Sequence, residues 1–131
     1  MKKTKNKYSR ESILGYAKSR KMAQSCFPFD EETEVIKVAG KIFLLANSEE
    51  PLEISLKCNP SKAIELREMF DFVKPGYHLN KKHWITVTIT EEMPMEFFFD
   101  LIDHSYEEVV KRMTRVEREE LAKEDLRANL D

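Results

Sequence analysis

The alternation of apolar and polar residues predicts most of the strands. Residues 85–90 alternate Ile or Val with Thr, which is the period of a strand with one buried and one solvated face. Residues 52–57 alternate in the same way and predict a half-exposed strand. Residues 41–46 are apolar on both faces, which predicts a central strand. This strand follows a first strand at 34–38 across a two-residue turn at Ala39-Gly40. The stretch from Pro75 to Thr90 is expected to supply a short fourth strand and a long fifth strand.

Helical signals separate these strands. Ser9 can cap a first helix that ends between Arg20 and Gln24. Asn59-Pro60 starts a second helix that runs to about Met69. Pro94 starts a third helix, whose apolar face repeats at helical spacing at Phe98, Leu101, Ile102, Ser105, Tyr106, Val109 and Met113.

The order of these elements predicts an α+β domain over residues 9–113. It reads α-β-β-β-α-β-β-α, and short connections favour antiparallel pairing. We therefore expect a two-layer α/β domain with an antiparallel five-stranded sheet and helices on one face. A chain of 131 residues suits one such domain.

Charge is distributed unevenly along the chain. Residues 1–21 carry eight basic side chains and one acidic side chain, that of Glu11, so their charge is +7. Because the net charge of the whole chain is −2, the remaining residues carry −9. Residues 1–8 are expected to form a flexible basic arm, which either contacts phosphate or is simply solvated. Residues 114–131 are almost entirely charged and are expected to form a helical extension that could dock on another chain.

The expected location is the cytoplasm. No apolar run approaches the roughly 18–20 residues that span a bilayer, so no membrane partner is expected, and no secretory signal follows the basic start. Cys26 and Cys58 lack CxxC or metal spacing and are expected to be reduced thiols.

The richest chemistry lies between residues 75 and 84. Pro75-Gly76 suits a type II turn, and Asn80-Lys81-Lys82 suits a hairpin tip. This stretch also holds the only Trp of the chain and two of its three His. Lysines at a tip can contact phosphates, and Trp84 beside Lys57 and threonines can form a stacking platform for single strands. The candidate nucleic-acid contacts are His78, Asn80, Lys81, Lys82, His83, Trp84 and Lys57.

Other interpretations of these residues stay open. Trp84 could pack under the hairpin while the lysines are only solvated. His78 and His83, with Cys58 or His104 nearby, could approach a metal, but no zinc spacing is met. Cys58 precedes the Asn59 cap, where an exposed thiol would be activated, although a buried thiol is expected. There is no P-loop, dinucleotide fingerprint or nucleophile elbow, so no enzyme activity, metal or cofactor is expected.

Five segments together resemble the MmcQ/YjbR-like family of small bacterial proteins. The resemblance covers about residues 9–113 and implies a compact two-layer domain with an antiparallel sheet. It further implies a double-wing DNA-binding domain. The segments are Val38–Phe43, Leu56–Pro60, Leu66–Glu68, Pro75–Trp84 and Leu101–Tyr106.

The predicted function is non-enzymatic DNA binding, with phosphates contacted by the hairpin from His78 to Trp84. This function follows mainly from the resemblance. The alternative is a protein-protein interaction module that uses the open sheet face or the charged C-terminal helix, with a protein partner or a second copy of the chain.

Overall fold

The computed structural model describes residues 8–130, with side chains from 8 to 123. Residues 1–7 of the predicted basic arm lie outside this range. Tyr8, at its end, donates a hydrogen bond from its hydroxyl to the Met93 carbonyl at 2.8 Å. None of the helices in the described range combines the length and apolar character needed to cross a lipid bilayer.

The described chain contains ten elements, and the order within the predicted domain differs by one added strand; the last helix lies in the segment expected to form a helical extension. The elements are α1 (Arg10–Lys18), β1 (Ala23–Cys26), β2 (Glu34–Val38), β3 (Lys41–Ala46), β4 (Glu53–Lys57), α2 (Pro60–Met69), β5 (Val73–Pro75), β6 (Trp84–Thr88), α3 (Met95–Lys111) and α4 (Arg115–Leu130).

The sheet has six strands, one more than the predicted five. The strand that the prediction missed is β1. The first helix ends at Lys18, before the predicted end between Arg20 and Gln24, and the chain then turns through Met22, whose φ is +59°. Strand β1 has the sequence AQSC, without alternating apolar residues, and it pairs along its whole length with β2. Backbone hydrogen bonding to a neighbour forms this strand, so hydrophobic periodicity could not reveal it.

Two of the helix start signals and the first turn signal are confirmed. The Ser9 side chain accepts a hydrogen bond from the Ser12 amide at the start of α1, and Asn59 caps α2 with Pro60 as its first residue. Ala39 and Gly40 both have positive φ, as a two-residue turn between paired strands requires. Pro94 occupies the cap of α3 and not its first helical position.

The α+β class and the antiparallel sheet are confirmed. The strand order is β1-β2-β3-β4-β6-β5, and every neighbouring pair is antiparallel. One buried cluster joins Ile54 and Leu56 of β4 to Ile13 of α1, Leu66 of α2 and Ile102 of α3. The helices that contribute to this core therefore lie on the same face of the sheet.

The opposite face of the sheet carries polar and half-buried side chains. Residue pairing puts Lys57 beside Trp84, Ser55 beside Thr86 and Glu53 beside Thr88. Trp84, Thr86 and Thr88 therefore share one face with Lys57, as the sequence predicts. Pairing also puts Leu45 beside Ser55. We call this surface the open face; it comprises Leu45, Glu53, Ser55, Lys57, Trp84, Thr86 and Thr88.

Candidate functional site

The turn segment, residues 76–83, connects β5 to β6 and differs from the predicted type II turn. Gly76 does not adopt positive φ; in this segment that conformation belongs to His78, at +57°. A side chain at Gly76 would instead collide with Trp84, because its Cβ would lie 2.6 Å from the Trp84 Cβ. Glycine is required here for a close approach of two backbones.

Asn80 is exposed, and its side-chain oxygen shapes the turn segment. Its Oδ1 accepts hydrogen bonds from the amides of Lys82 (2.9 Å) and His83 (3.3 Å). Its carbonyl accepts from the Trp84 amide at 3.0 Å. This Asx turn delivers the chain into β6. The side-chain amide nitrogen of Asn80 is the group that can donate to a phosphate.

The two predicted lysines differ in their surroundings. The Lys81 ammonium donates to the Gly76 carbonyl at 3.1 Å, and its own carbonyl accepts from Arg67 of α2 at 3.2 Å. Lys82 is exposed. Lys81 thus holds the turn segment together, and Lys82 is the lysine available to a ligand. His78 is exposed, with its ring centroid 4.0 Å from that of Tyr77.

Trp84 is half-buried, and the Lys57 ammonium lies 5.8 Å from its ring centroid. The next threonine on the open face is less available than predicted. Thr86 is 8% exposed, and its hydroxyl bonds Ser55 and the Tyr77 amide of the turn segment. The predicted stacking platform therefore keeps Trp84 and the adjacent Lys57 but loses Thr86.

A side chain of α3 bridges β3 and β4 beside this tryptophan. Pairing of β3 with β4 ends at Leu44 and Leu56, and Phe43 is an extra residue in the pairing of β2 with β3. Ser105, fully buried, bridges the two strands. Its hydroxyl donates to the Phe43 carbonyl at 2.6 Å and accepts from the Lys57 amide at 2.9 Å.

A recess of about 340 Å³ lies beyond this bridge. We call it the strand-end recess. Its walls come from the start of β3, the end of β4 and the start of β6, and α3 contributes the remaining side. Three cations line it, and none of its lining side chains is acidic. The lining residues are Lys41, Ile42, Lys57, Trp84, Val109 and Arg112.

The positive charges around the recess affect one another. Partial burial, followed by the charges of Arg112 and Lys41, lowers the pKa of Lys57, although Glu108 acts in the opposite direction. Partial burial also lowers the pKa of His83, as do the charges of Arg112, Lys57 and Lys82. Lys57, Lys82 and His83 therefore share one positive environment with Arg112.

Two residues of this environment were missed by sequence reasoning. Lys41 follows the turn at Ala39-Gly40, and Arg112 comes directly after α3. A signal for Arg112 was present, because it lies seven residues after Ser105 and therefore on the same helical stripe. No signal for Lys41 existed without the strand pairing.

The surroundings of Cys58 and His104 indicate structural roles for both side chains. Burial raises the pKa of Cys58 to about 11, so its thiol is not activated. His104 Nε2 accepts a hydrogen bond from the Asn59 amide at 3.1 Å. Over the residues with described side chains, no three His, Cys, Asp or Glu residues come together as metal ligands.

Comparison with known proteins identifies the family. Residues 18–108, more than half of the chain, match the YjbR family. The chain belongs to the YjbR family. YbdF of Escherichia coli O157:H7 is 40% identical over 91 residues, which cover 69% of this chain and 75% of YbdF. YjbR of Escherichia coli K12 is 31% identical over 107 residues, which cover 81% of this chain and 91% of YjbR. The resemblance found in the sequence is thus confirmed.

Solved structures agree with this YjbR-family assignment. The crystal structure of a Deinococcus radiodurans protein with the domain DUF419 has a TM-score of 0.80 and 37% identity, with 86% of each chain covered. A Pseudomonas syringae structure shares the fold, with a TM-score of 0.64 and 23% identity over 74% of this chain and 95% of that one. The segment that matches the YjbR family includes Lys41, Lys57 and Trp84 and ends before Arg112.

Proposed function

We propose that this YjbR-family protein binds nucleic acid in the cytoplasm, without catalysis. The observation that supports the proposal is the meeting of Lys57, Lys82, His83 and Trp84 where β4 ends and β6 begins. Cations suit phosphate contacts, and an aromatic ring beside them suits base stacking. Beyond residues 1–21 the chain carries a charge of −9. Any attraction of phosphate by this part of the chain is therefore local to the surface formed by these residues.

Single strands are the preferred form in this proposal. Trp84 is half-buried on the open face, where an unpaired base can reach its ring, whereas the bases of a duplex are stacked on one another. Each stacked base contributes about 1–3 kcal/mol to such binding. We expect Trp84→Leu to weaken binding of single strands more than binding of duplexes, while Trp84→Phe retains the preference.

Fluorescence anisotropy with labelled single-stranded and duplex DNA at two salt concentrations tests the proposal. The double variant Lys57→Gln/Lys82→Gln should bind more weakly, and its salt slope should fall by about two because each lost phosphate contact removes nearly one unit. The matched control is Lys18→Gln/Lys123→Gln, which removes the same charge from α1 and α4. Equal loss in both variants, or no binding at low salt, would contradict the proposal.

A separate observation favours the alternative of a protein-protein interaction module. Phe27 and Phe29 are 51% and 65% exposed, and they follow β1, which is an edge strand of the sheet. Exposed aromatic side chains at a free sheet edge suit a protein partner. The variant Phe27→Ser/Phe29→Ser should then abolish self-association in sedimentation experiments while nucleic-acid affinity stays unchanged.

A further inference from the structure

The strand-end recess concentrates positive charge where the strands end. Lys41, Lys57 and Arg112 line it. Among the described residues, neither Lys57 nor Arg112 forms an ion pair, and Lys41 is 3.6 Å from Glu117. Glu108, whose charge also acts on Lys57, is bonded to Lys111 at 2.7 Å. The recess therefore holds cationic groups whose charge is only partly balanced within the protein.

Apolar surface completes the recess. Ile42 and Val109 lie beside the ring of Trp84 in its lining. Its volume, about 340 Å³, is at the lower end of the range for small-molecule sites. An apolar and aromatic wall next to converging cations suits a ligand that is flat at one end and anionic at the other.

The position of α3 brings a cation to the recess beside the tryptophan. Val109 of α3 and the adjoining Arg112 line the side of the recess that faces the helices. The end of a strand can therefore place its last base against Trp84 while its terminal phosphate meets Arg112. A terminal phosphomonoester also carries about −1.5 to −2 charges at neutral pH, more than the single charge of an internal phosphodiester.

We propose that the strand-end recess binds a terminal nucleotide unit, with its phosphomonoester held by Lys41, Lys57 and Arg112 and its base against Trp84. This inference rests on the proposed nucleic-acid function and names the part of the ligand that is recognised. The same chemistry belongs to a free mononucleotide. The two sources differ in whether a longer strand strengthens binding through Lys82 and His83.

The test compares three versions of one labelled single-stranded octanucleotide: 5′-phosphorylated, 3′-phosphorylated and without a terminal phosphate. Wild-type protein should bind one phosphorylated end about tenfold more tightly than the unphosphorylated strand, as expected for an added charge-assisted contact of about 1.4 kcal/mol. Arg112→Gln should remove this difference. Arg115→Gln, which changes an exposed arginine paired with Glu119 on α4, should retain it.

Adenosine 5′-monophosphate and adenosine provide the second probe. Trp84 is the only tryptophan of the chain, so its fluorescence reports directly on the recess. The monophosphate should quench it at lower concentration than adenosine does, and Arg112→Gln should make the two equal. Thermal unfolding of each variant checks that the fold is retained.

The outcomes separate this inference from the proposed function. Equal, salt-dependent binding of all three octanucleotides would overturn the recess proposal and leave the nucleic-acid function standing. Quenching by the monophosphate that depends on Arg112, without binding of any octanucleotide, would support a free nucleotide as ligand and overturn the nucleic-acid function. If no octanucleotide binds and the monophosphate does not quench the fluorescence of Trp84, both proposals are overturned.

Discussion

At the scale of single residues, Gly76 shows how a correct sequence signal can have a different physical cause. Pro-Gly predicts positive φ at the glycine, yet here the requirement is space for Trp84. The residue with positive φ is His78, a residue type that adopts this conformation more often than most non-glycine residues do. Sequence reasoning found the turn because glycine marks both situations, and it could not tell them apart without the neighbouring strand.

Replacement of Gly76 by Ala is expected to lower the free energy of unfolding by about 1–3 kcal/mol, the cost of overpacking. Its Cβ would lie 2.6 Å from the Trp84 Cβ and 3.1 Å from the Trp84 carbonyl oxygen. Gly15→Ala is the control, because a Cβ there meets nothing within 4 Å on α1. That variant should gain about 0.5–1 kcal/mol. Urea denaturation measures both changes, and equal stability of Gly76→Ala and wild type would refute the steric argument.

His104 is expected to make stability depend on pH. Burial lowers its pKa, and the charge of Lys62 adds to the effect, whereas Glu107 and Glu108 oppose it. The neutral form, whose Nε2 accepts from Asn59, is therefore favoured in the folded state. Its contribution is fully present above the unfolded pKa of about 6.5 and is lost as pH falls through the lower folded pKa.

The measurement for His104 is the free energy of unfolding between pH 7 and pH 5.5. His104→Gln keeps a neutral acceptor and should flatten the decline seen in the wild-type protein on acidification. Part of the slope should persist in the variant, because His83 also has a lowered pKa. Identical slopes for the two proteins would rule out His104 as a source of the pH dependence.

At the scale of elements, sequence reasoning succeeded where side chains decide the structure. Alternation located β4 and β6, and the Ser9 and Asn59 caps located the starts of α1 and α2. Strand β1 escaped because its pairing depends on β2 and not on its own side chains. The bridge between β3 and β4 also escaped, since it is made by one serine on a helix remote in sequence.

Ser105 is the residue on which that bridge depends. Ser105→Ala would leave the Lys57 amide and the Phe43 carbonyl without their partner in a fully buried position. We expect a loss of about 2–4 kcal/mol, since each buried polar group left unpaired costs about 1–3 kcal/mol. Ser61→Ala, at an exposed position near the start of α2, should change stability by less than about 0.5 kcal/mol.

Denaturation by urea and amide exchange at Lys57 measure the effect of Ser105→Ala. Exchange at this amide should accelerate in Ser105→Ala more than the change in global stability requires. An Ala variant as stable as Ser61→Ala would mean that water or a strand shift replaces the hydroxyl bridge.

At the scale of the whole molecule, charge arrangement matters more than net charge. A net charge of −2 gives no general attraction to nucleic acid. The cations proposed to contact phosphate come from β3, β4, the turn segment and the end of α3. Their proximity is a result of the tertiary fold. Sequence reasoning could therefore name Lys57, Lys82 and His83 as candidates, but it could not bring Arg112 to them.

Helix α4 supplies a carboxylate that competes for this charge. Glu117 Oε2 lies 3.6 Å from the Lys41 ammonium. Glu117→Gln should therefore strengthen binding of phosphorylated single strands by about two- to threefold, the size expected of a weak surface ion pair. Glutamine can retain the capping interactions that Glu117 makes with Thr114.

Glu119→Gln is the matched control for Glu117→Gln, because it makes the same change of net charge on the same helix at the partner of Arg115. Anisotropy titrations with the phosphorylated octanucleotide compare the two variants. Equal gains in affinity would indicate a general effect of net charge and would refute a specific role for Glu117.

The strand order has a consequence for the time course of folding. Strands β1 to β4 pair with their sequence neighbours, whereas β6 joins β4 only after α2 and β5 have been passed. Contacts between distant parts of a chain form more slowly than local ones. The contact of Trp84 with Lys57 should therefore arise late in refolding. The proposed nucleotide binding should then appear with the final kinetic phase, and partly folded chains should not bind the ligand.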